Sequence, residues 1–371
     1  MQKTLMVGLT EKDMEATVHS YDLNPYYYPT LFPIKENFTL SWKGLETQTG
    51  LRVAADVVAR GATIDKKTRN AVARIQGDIP KIAIKRTKDE NELTEYDIML
   101  AMSQGNPNQR ALIEAWAEDT QFCWDGVASR LEWIALRSIS RGKVTLDNDN
   151  NNSVVSEFDV DYHIDADRKL GTDTKEWTDA ADAKPISKDF KRIVAEARKK
   201  GINLRYALMN ADTFANFVQT EEVVKLSASF MQNALSIAQT PSLAQVNTAM
   251  ASLAYLRGLQ IVVIDQDITI ENSDGTQTGG NPFLSNVVTF VENTTLGTTF
   301  YKVPADNKLQ GSKAIKALNG HTLIKKFSTE EPLEEITMGL ANAFPAWLGS
   351  TRTFLFDTVN STWLEGVIQG G

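Results

Sequence analysis

Residues 106–141 read NPNQRALIEAWAEDTQFCWDGVASRLEWIALRSISR, and this stretch predicts one long helix around which the chain is organised. Asn106 is a favourable N-cap, Pro107 suits the first helical position, and Gly142 suits the left-handed residue that ends a helix. Such a helix would be roughly 50 Å long, so we expect it to run through a domain. Apolar or small side chains recur on it at helical spacing: Leu112, Trp116, Cys123, Val127, Leu131, Ile134 and Ser138.

Composition limits the classes of protein to consider. The chain has 371 residues, which predicts one to three domains, and 42% of them are hydrophobic, which is ample for a core. Its net charge of −8 argues against a nucleic-acid binder. The single cysteine, Cys123, excludes a disulfide framework within the chain and indicates a reducing compartment. No signal peptide or membrane span is apparent, so we expect a soluble protein made in the cytoplasm.

The N-terminal region predicts an arm. Residues 1–20 are weakly patterned and are expected to be mobile or docked on a partner. Residues 24–33 contain three prolines, which disfavour a helix or a central strand. The aromatic side chains of this segment need burial, and we predict that they contact another subunit. Packing onto the chain's own core is the alternative. The predicted contact residues are Tyr26, Tyr27, Tyr28 and Phe32.

Next, alternating apolar residues predict a two-stranded excursion with a polar, basic tip. The alternation is carried by Phe38, Leu40 and Trp42, by Leu51, Val53, Ala55 and Val57, and after the tip by Ile82 and Ile84.

Charge is distributed unevenly between this excursion and the rest of the chain. Residues 52–88 contain ten basic and three acidic residues, a local charge of +7, which leaves −15 for the remainder of a chain at −8. We predict that the basic excursion of one copy lies on the acidic body of another, through Arg60, Lys66, Lys67, Arg69 and Arg74. A solvated loop is the alternative. A nucleic-acid-binding arm is disfavoured because the stretch has no aromatic residue to stack on bases.

Downstream, the patterns predict mixed α and β structure. Residues 93–103 predict a short helix, and residues 143–146 and 154–162 a hairpin. Residues 165–185 resemble a linker or crossover, after which Ser187 would cap a helix. Asn210 or Asp212 would cap the helix that follows. Residues 186–303 predict an α/β region in which strands 268–270 and 287–291 pair. The last strands, 323–327, 333–340 and 353–358, would pack on the long helix in a domain built from both ends of the chain.

Sequence motifs of catalysis are missing. His19, His163 and His321 lack metal-ligand spacing, and Cys123 lies on the apolar stripe of a helix. There is no phosphate-binding loop, dinucleotide fingerprint or nucleophile elbow. The Asp- and Asn-rich loop 147–152 offers oxygen ligands for calcium but lacks EF-hand spacing. We therefore predict no catalytic, cofactor or metal site.

Four stretches, in this order, resemble the major capsid proteins of tailed phages, and among them the lambda-like major capsid protein E family. They are residues 24–33 with 39–42; 57–61 with the basic stretch to 86; 289–292 with 296–301; and 334–338 with 354–356.

This resemblance implies an α+β protein with the Hong Kong 97-type capsid fold. Its parts would be an N-terminal arm (1–37), an extended hairpin called the E-loop (38–88), a peripheral domain (89–185 and 321–371) with the long spine helix 106–141, and an axial α/β domain (186–320).

In function, the resemblance implies a non-enzymatic protein that self-assembles as hexamers and pentamers into an icosahedral shell. The shell would enclose the double-stranded DNA genome of a bacteriophage without sequence-specific binding, and without a cofactor or a membrane. The protein would be made in the host cytoplasm and end in the virion capsid. Scaffold, portal and decoration proteins are further candidate partners. Alternatives are an encapsulin-type compartment, another phage structural protein, and an enzyme with an unrecognised site.

Overall fold

A computed structural model describes residues 10–47, 72–102, 109–146, 150–151, 158–230, 240–271, 276–309 and 313–363. The helices are α1 (Glu11–Ser20), α2 (Tyr28–Leu31), α3 (Glu90–Met102), α4 (Gln109–Arg141), α5 (Lys191–Lys199), α6 (Ala211–Gln219), α7 (Glu221–Phe230) and α8 (Leu243–Ala251). The strands are β1 (Ile34–Glu36), β2 (Ser41–Thr47), β3 (Val72–Asp78), β4 (Lys81–Lys88), β5 (Lys143–Leu146), β6 (Phe158–Asp161), β7 (Lys169–Gly171), β8 (Tyr206–Asn210), β9 (Gln260–Ile264), β10 (Ile268–Glu271), β11 (Gln277–Gly280), β12 (Val287–Val291), β13 (Gly297–Lys302), β14 (Ile315–Asn319), β15 (Thr322–Glu330), β16 (Leu333–Trp347) and β17 (Phe354–Asp357). The fold is α+β, as predicted.

The long helix is confirmed as α4. It ends at Arg141, and Gly142 has the predicted left-handed conformation, with φ of 74°. The Gly142 N–H donates to the Ser138 carbonyl at 2.8 Å, which satisfies one of the last helical acceptors. The predicted N-cap, Asn106, lies outside the described residues.

The chain divides into two compact units. Unit 1 consists of Met1–Trp42, Gly77–Ile134 and Thr298–Ala346, and unit 2 of Lys43–Gln76, Ala135–Gly297 and Trp347–Gly371. This division differs from the predicted boundaries at residues 185/186 and 320/321. The reason is strand pairing, because β7 and β17 join the sheet of β8, whereas β13 and β14 join that of β16.

In unit 1 the strands form one sheet in the order β1-β13-β16-β15-β14, and β4 also pairs with β16. The β4–β16 pair is antiparallel, with Ile84 opposite Gly339. Helix α1 packs on β14 and buries Met14 and Val18 completely, in one cluster with Trp124 of α4. The β4 strand was predicted, but its partner is a strand about 250 residues away in sequence.

In unit 2 a five-stranded sheet has the order β7-β17-β12-β8-β9. Its aromatic core includes Trp177, whose indole N–H donates to Asp189 Oδ2 at 2.9 Å. The second oxygen of Asp189 accepts from the Asp173 N–H at 2.8 Å. Burial raises the pKa of the Asp189 carboxyl to about 6. Residues 165–185 therefore contribute strand β7 and the buried Trp177 to this unit, where the sequence predicted a linker or crossover.

Several local predictions for unit 2 need correction. Strand β10 pairs with β11, whereas β12 pairs with β8 and β17, so the predicted pairing of 268–270 with 287–291 is wrong. Ser187 is not an N-cap, because a π-helix, Pro185–Phe190, leads directly into α5. Of the two predicted caps of α6, Asn210 is confirmed: its side chain accepts from the Thr213 N–H at 2.9 Å.

The N-terminal region also differs from expectation. Residues 11–20 form α1, capped by Thr10 and Asp13, and this helix docks on its own chain. Residues 28–31 form the single turn α2 despite the prolines, because Pro29 occupies the first turn, where a proline is tolerated. Residues 38–40 are a bend rather than a strand.

Candidate assembly surface

The predicted basic contact residues lie mostly outside the described residues. This applies to Arg60, Lys66, Lys67 and Arg69. Arg74 belongs to β3, which pairs with β2, whereas the residues predicted to follow the tip, Ile82 and Ile84, lie in β4 and pair with β16. The contact of the basic residues with a second copy stays a prediction.

Two basic residues at the end of the excursion form ion pairs within unit 1. Arg86 Nε lies 3.5 Å from Asp119 Oδ1, and Lys88 Nζ contacts the other oxygen of the same carboxylate. Asp119 is buried, so this pairing satisfies a carboxylate that would otherwise be costly to bury. The guanidinium of Arg86 also lies 4.9 Å from the ring centroid of the exposed Phe122. The ten basic residues counted from sequence are therefore not all available to a partner.

Tyr28 and Phe32 are completely buried within unit 1. The Tyr28 hydroxyl lies 3.1 Å from His321 Nε2. The backbone N–H groups of Tyr27 and Tyr28 donate to the two oxygens of Glu132, at 2.9 and 2.7 Å. A contact of Tyr28 or Phe32 with another subunit is therefore excluded by burial, and the alternative interpretation, packing on the chain's own core, is correct for these two side chains.

Tyr26 and Tyr27 are half-buried, so each keeps some surface for a partner. The Tyr26 hydroxyl lies 3.4 Å from both the Asp125 carbonyl and Ser129 Oγ on α4. A contact of these two tyrosines with a neighbouring copy stays a prediction.

Burial shifts the pKa values of Glu132 and His321, the two groups that bind Tyr27 and Tyr28. Burial raises the pKa of the Glu132 carboxyl to about 7, although the two backbone donors act in the opposite direction. Burial lowers the pKa of His321 to about 4, so its imidazole is neutral at pH 7. Glu132 of α4 and His321, which lies between β14 and β15, bind Tyr27 and Tyr28 and are both buried. Sequence reasoning missed Glu132, although a lone glutamate among the apolar residues 131–136 of a helix is a detectable signal.

A second buried charge pair lies between neighbouring strands of the same unit. Lys326 Nζ on β15 lies 4.0 Å from Glu335 Oε1 on β16, and both side chains are almost completely buried. Burial lowers the pKa of the Lys326 ammonium to about 8, while Glu335 acts against this shift. The alternating pattern of strand β15 gave no sign of this pair.

The surface that sequence reasoning missed is the bend before β2. Phe38 is 94% exposed and Leu40 is 55% exposed, whereas the predicted strand would have placed both beside Trp42. Trp42 alone is buried, and its ring stacks on Phe344 at 5.7 Å between centroids. Large apolar side chains at this exposure mark the bend as a candidate contact surface.

Two features that the sequence offered for catalysis can be located in the described ranges: clusters of metal-ligand residue types and the single cysteine. No group of three or more His, Cys, Asp or Glu side chains there is placed to hold a metal ion. Cys123 is buried, burial raises its thiol pKa to about 11, and its Sγ donates to the Thr337 carbonyl at 3.4 Å. Helices in this part of the chain are too short or too polar to cross a membrane.

Comparison with known proteins identifies the family. The model of the family described as phage major capsid protein E matches residues 15–339. No curated protein matches the sequence.

Solved structures share the fold at low sequence identity. A prophage protein of E. coli CFT073, described as a capsid protein, is 14% identical with a TM-score of 0.56, over 95% of this chain and 99% of that one. A phage-related protein of Bordetella bronchiseptica RB50 is 14% identical with a TM-score of 0.52, over 93% and 95%. The capsid of cyanophage A-1(L) is 9% identical with a TM-score of 0.50, over 89% and 91%. The chain therefore belongs to the phage major capsid protein E family, and its function is to form the capsid shell.

Proposed function

We propose that copies of this chain assemble as hexamers and pentamers into a closed icosahedral shell around a double-stranded DNA genome. The observation that carries the proposal is the family match across residues 15–339. The net charge of −8 supports a wall that contains DNA without binding its sequence, because a polyanion is not attracted to an acidic surface. The protein would act by assembly and not by catalysis.

Within the shell, residues 1–37 would act as the N-terminal arm and 38–88 as the E-loop. Residues 89–185 and 321–371 would belong to the peripheral domain and 186–320 to the axial domain. The exceptions would be β7 and β17, which pair in the sheet of β8, and β13 and β14, which pair in the sheet of β16. Tyr26 and Tyr27 would add contacts from the arm. The protein would be made in the host cytoplasm, and scaffold, portal and decoration proteins would be its other partners.

The contact that closes the shell would be electrostatic in part. Excluding Arg86 and Lys88, which pair within their own unit, residues 52–85 still hold eight basic against three acidic residues, a charge of +5. Opposite charges on two patches of one chain support a head-to-tail contact, which repeats from copy to copy. The basic residues of the tip would therefore lie on the acidic body of the next subunit.

Charge reversal tests this contact. The triple variant Lys66→Glu, Lys67→Glu, Arg69→Glu should yield folded, unassembled protein, since attraction becomes repulsion at the same place. Negative-stain electron microscopy and sedimentation velocity would measure shells, and circular dichroism would measure folding. The matched variant Lys66→Arg, Lys67→Arg, Arg69→Lys keeps every charge and should form shells. Normal shells from the charge-reversed variant would refute the basic contact.

The contents of the shell distinguish its two possible roles. Shells purified from infected cells should contain double-stranded DNA of genome length if the protein is the capsid of a phage. An encapsulin-type compartment would instead contain a protein cargo and no genome. Digestion of external nucleic acid, followed by extraction and sizing of the protected DNA, separates the two.

A further inference from the structure

Two of the most exposed apolar side chains in the described residues are close together in sequence. Phe38 is 94% exposed and Leu40 is 55% exposed, and they lie in the bend between β1 and β2 of unit 1. A phenylalanine ring in water forgoes about 1.5–3 kcal/mol of burial free energy, so a contact that covers this ring is favourable.

This bend is held by hydrogen bonds rather than left loose. The Asn37 side-chain amide donates to the Thr39 and Ser41 carbonyls at 3.1 and 2.7 Å, and its oxygen accepts from the Phe38 N–H at 3.0 Å. The Thr39 hydroxyl donates to the Ser41 carbonyl at 2.8 Å. Such a bend fixes the backbone that carries Phe38, which lowers the backbone entropy lost when a partner binds it.

Both ends of the bend are attached to the body of unit 1. The Asn37 N–H donates to the Tyr301 carbonyl of β13 at 2.7 Å, and the Ile79 N–H donates to the Leu40 carbonyl at 2.8 Å. Trp42 follows directly and is buried against Phe344. The bend that carries Phe38 is therefore attached to the sheet of unit 1 at both ends.

Strand β1, which precedes the bend, is a poor edge for pairing with a strand of another molecule. Strand β1 has only three residues and lies at the end of the described sheet order. Lys35 and Glu36 are exposed on it, and short, charged edges resist pairing with another strand. A partner at this place would therefore be bound by the side chains of the bend.

A cation lies beside Phe38 and is paired with a carboxylate. Lys302 Nζ lies 5.8 Å from the Phe38 ring centroid and 3.9 Å from Glu36 Oε1. The charge of +5 on residues 52–85 begins at Arg52, 12 residues after Leu40. An apolar centre on a chain segment of net positive charge is complementary to an apolar hollow edged by carboxylates.

We propose that Phe38 and Leu40 form a knob that binds a second copy of this chain, in an apolar hollow with an acidic edge. The second copy is the occupant that the observations favour, because the shell consists of repeated copies and the chain outside residues 52–88 carries −15. The knob also continues directly into the excursion proposed to lie on that copy. The inference rests on the proposed function and adds an apolar anchor to its electrostatic contact.

Substitution of the knob tests the inference. The variant Phe38→Ser, Leu40→Ser should fold normally, because both side chains are exposed, and should lower the yield of shells roughly ten-fold or more, as expected when an interface anchor is lost. Leu309→Ser is the matched control, since Leu309 is 60% exposed in the same unit and lies outside the bend. Its shell yield should equal that of the wild type. Wild-type yield from the knob variant would overturn the proposal.

Photo-crosslinking identifies the occupant directly. With p-benzoylphenylalanine at position 38, irradiated shells should give covalent dimers of the chain, and mass spectrometry should place the second attachment site on an acidic surface. Cross-links only within one chain, or only to a different protein, would overturn the proposal. If the wild type forms no shell, the proposed function fails, whereas dimer cross-linking in concentrated solution still decides whether the knob binds a second copy.

Discussion

At the scale of single residues, Glu132 connects the N-terminal segment to the long helix. Its carboxylate accepts from two consecutive backbone N–H groups, those of Tyr27 and Tyr28, at the start of α2. These are donors that a helix leaves unsatisfied at its first turn, where a negative charge is favoured. A buried carboxylate without such donors would be strongly destabilising. The position of Tyr27 and Tyr28 on α4 and the burial of Glu132 therefore depend on each other.

The raised pKa of Glu132 predicts a pH dependence of stability. The folded-state pKa is about 7, against an ordinary value of 4.5, so its contribution is full below pH 4.5 and is lost as the pH rises through 7. The free energy of unfolding of the wild type minus that of Glu132→Gln should therefore fall, by on the order of 3 kcal/mol, between pH 4.5 and 7.5. Urea unfolding of unassembled protein at a series of pH values measures it.

The difference between the wild type and Glu132→Gln is used because the stability contribution of His321 changes with pH in the opposite direction. Its folded pKa is about 4 against 6.5, so its contribution is full above pH 6.5 and is lost as the pH falls towards 4. This term is common to both proteins and cancels. Glu95→Gln, at an exposed position on α3, serves as the control and should give a constant difference from the wild type. A constant difference for Glu132→Gln as well would disprove the assignment.

At the same scale, the knob shows where residue patterns mislead. Phe38, Leu40 and Trp42 alternate as in a strand, yet only Trp42 is buried. Asn37, Thr39 and Ser41 interleave with them, and side chains of these types bond locally to the backbone and favour turns. The turn signal was present in the sequence, but the apolar alternation outweighed it.

At the scale of elements, α4 lies very close to strands β4 and β16. A Cβ atom on Gly339 of β16 would come within 2.5 Å of the Cys123 carbonyl oxygen, which belongs to the helix backbone. A Cβ on Gly126 of α4 would meet the Ile84 side chain of β4 at 2.4 Å. Two glycines therefore set the distance between helix and sheet in unit 1.

Gly339→Ala is predicted to be the more damaging of two matched substitutions. The added methyl group would clash with helix backbone, which no side-chain rotation relieves, and should cost about 2–3 kcal/mol of unfolding free energy. In Gly349→Ala the nearest atom would be 3.5 Å away, an ordinary contact, so little change is expected. Chemical denaturation of both variants compares them. Equal stabilities would show that helix and sheet separate easily.

Elements with strong local signals were predictable, and elements that depend on distant partners were not. The periodic residues of α4, together with Gly142 and the Asn210 cap, are local signals, and all three are confirmed. The pairing of β17 with β7 and β12 is set by contacts between segments far apart in sequence, which periodicity does not report. Helix α1 was missed because only Met14 and Val18 of its residues are buried.

At the scale of the whole molecule, charge was the most informative property of the sequence. Composition identified a basic segment on an acidic chain without any structural detail, because charge needs no register or pairing to be counted. It overestimated the available charge, since counting does not show that Arg86 and Lys88 both pair with Asp119. It was also silent about the knob, which carries no charge.

The two proposed contacts should therefore respond differently to salt. The Debye length falls from about 10 Å at 0.1 M to about 3 Å at 1 M, so attraction between the basic excursion and the acidic body is screened, whereas burial of the apolar knob is not. The concentration needed for assembly should rise with sodium chloride in the wild type until it meets that of Lys66→Gln, Lys67→Gln, Arg69→Gln. The variant Phe38→Ser, Leu40→Ser should stay defective relative to the wild type at every salt concentration. Sedimentation between 0.1 and 1 M salt measures the concentration needed for assembly of both variants. If the difference in this concentration between the wild type and the neutral variant did not change with salt, the excursion would bind through shape and not through charge.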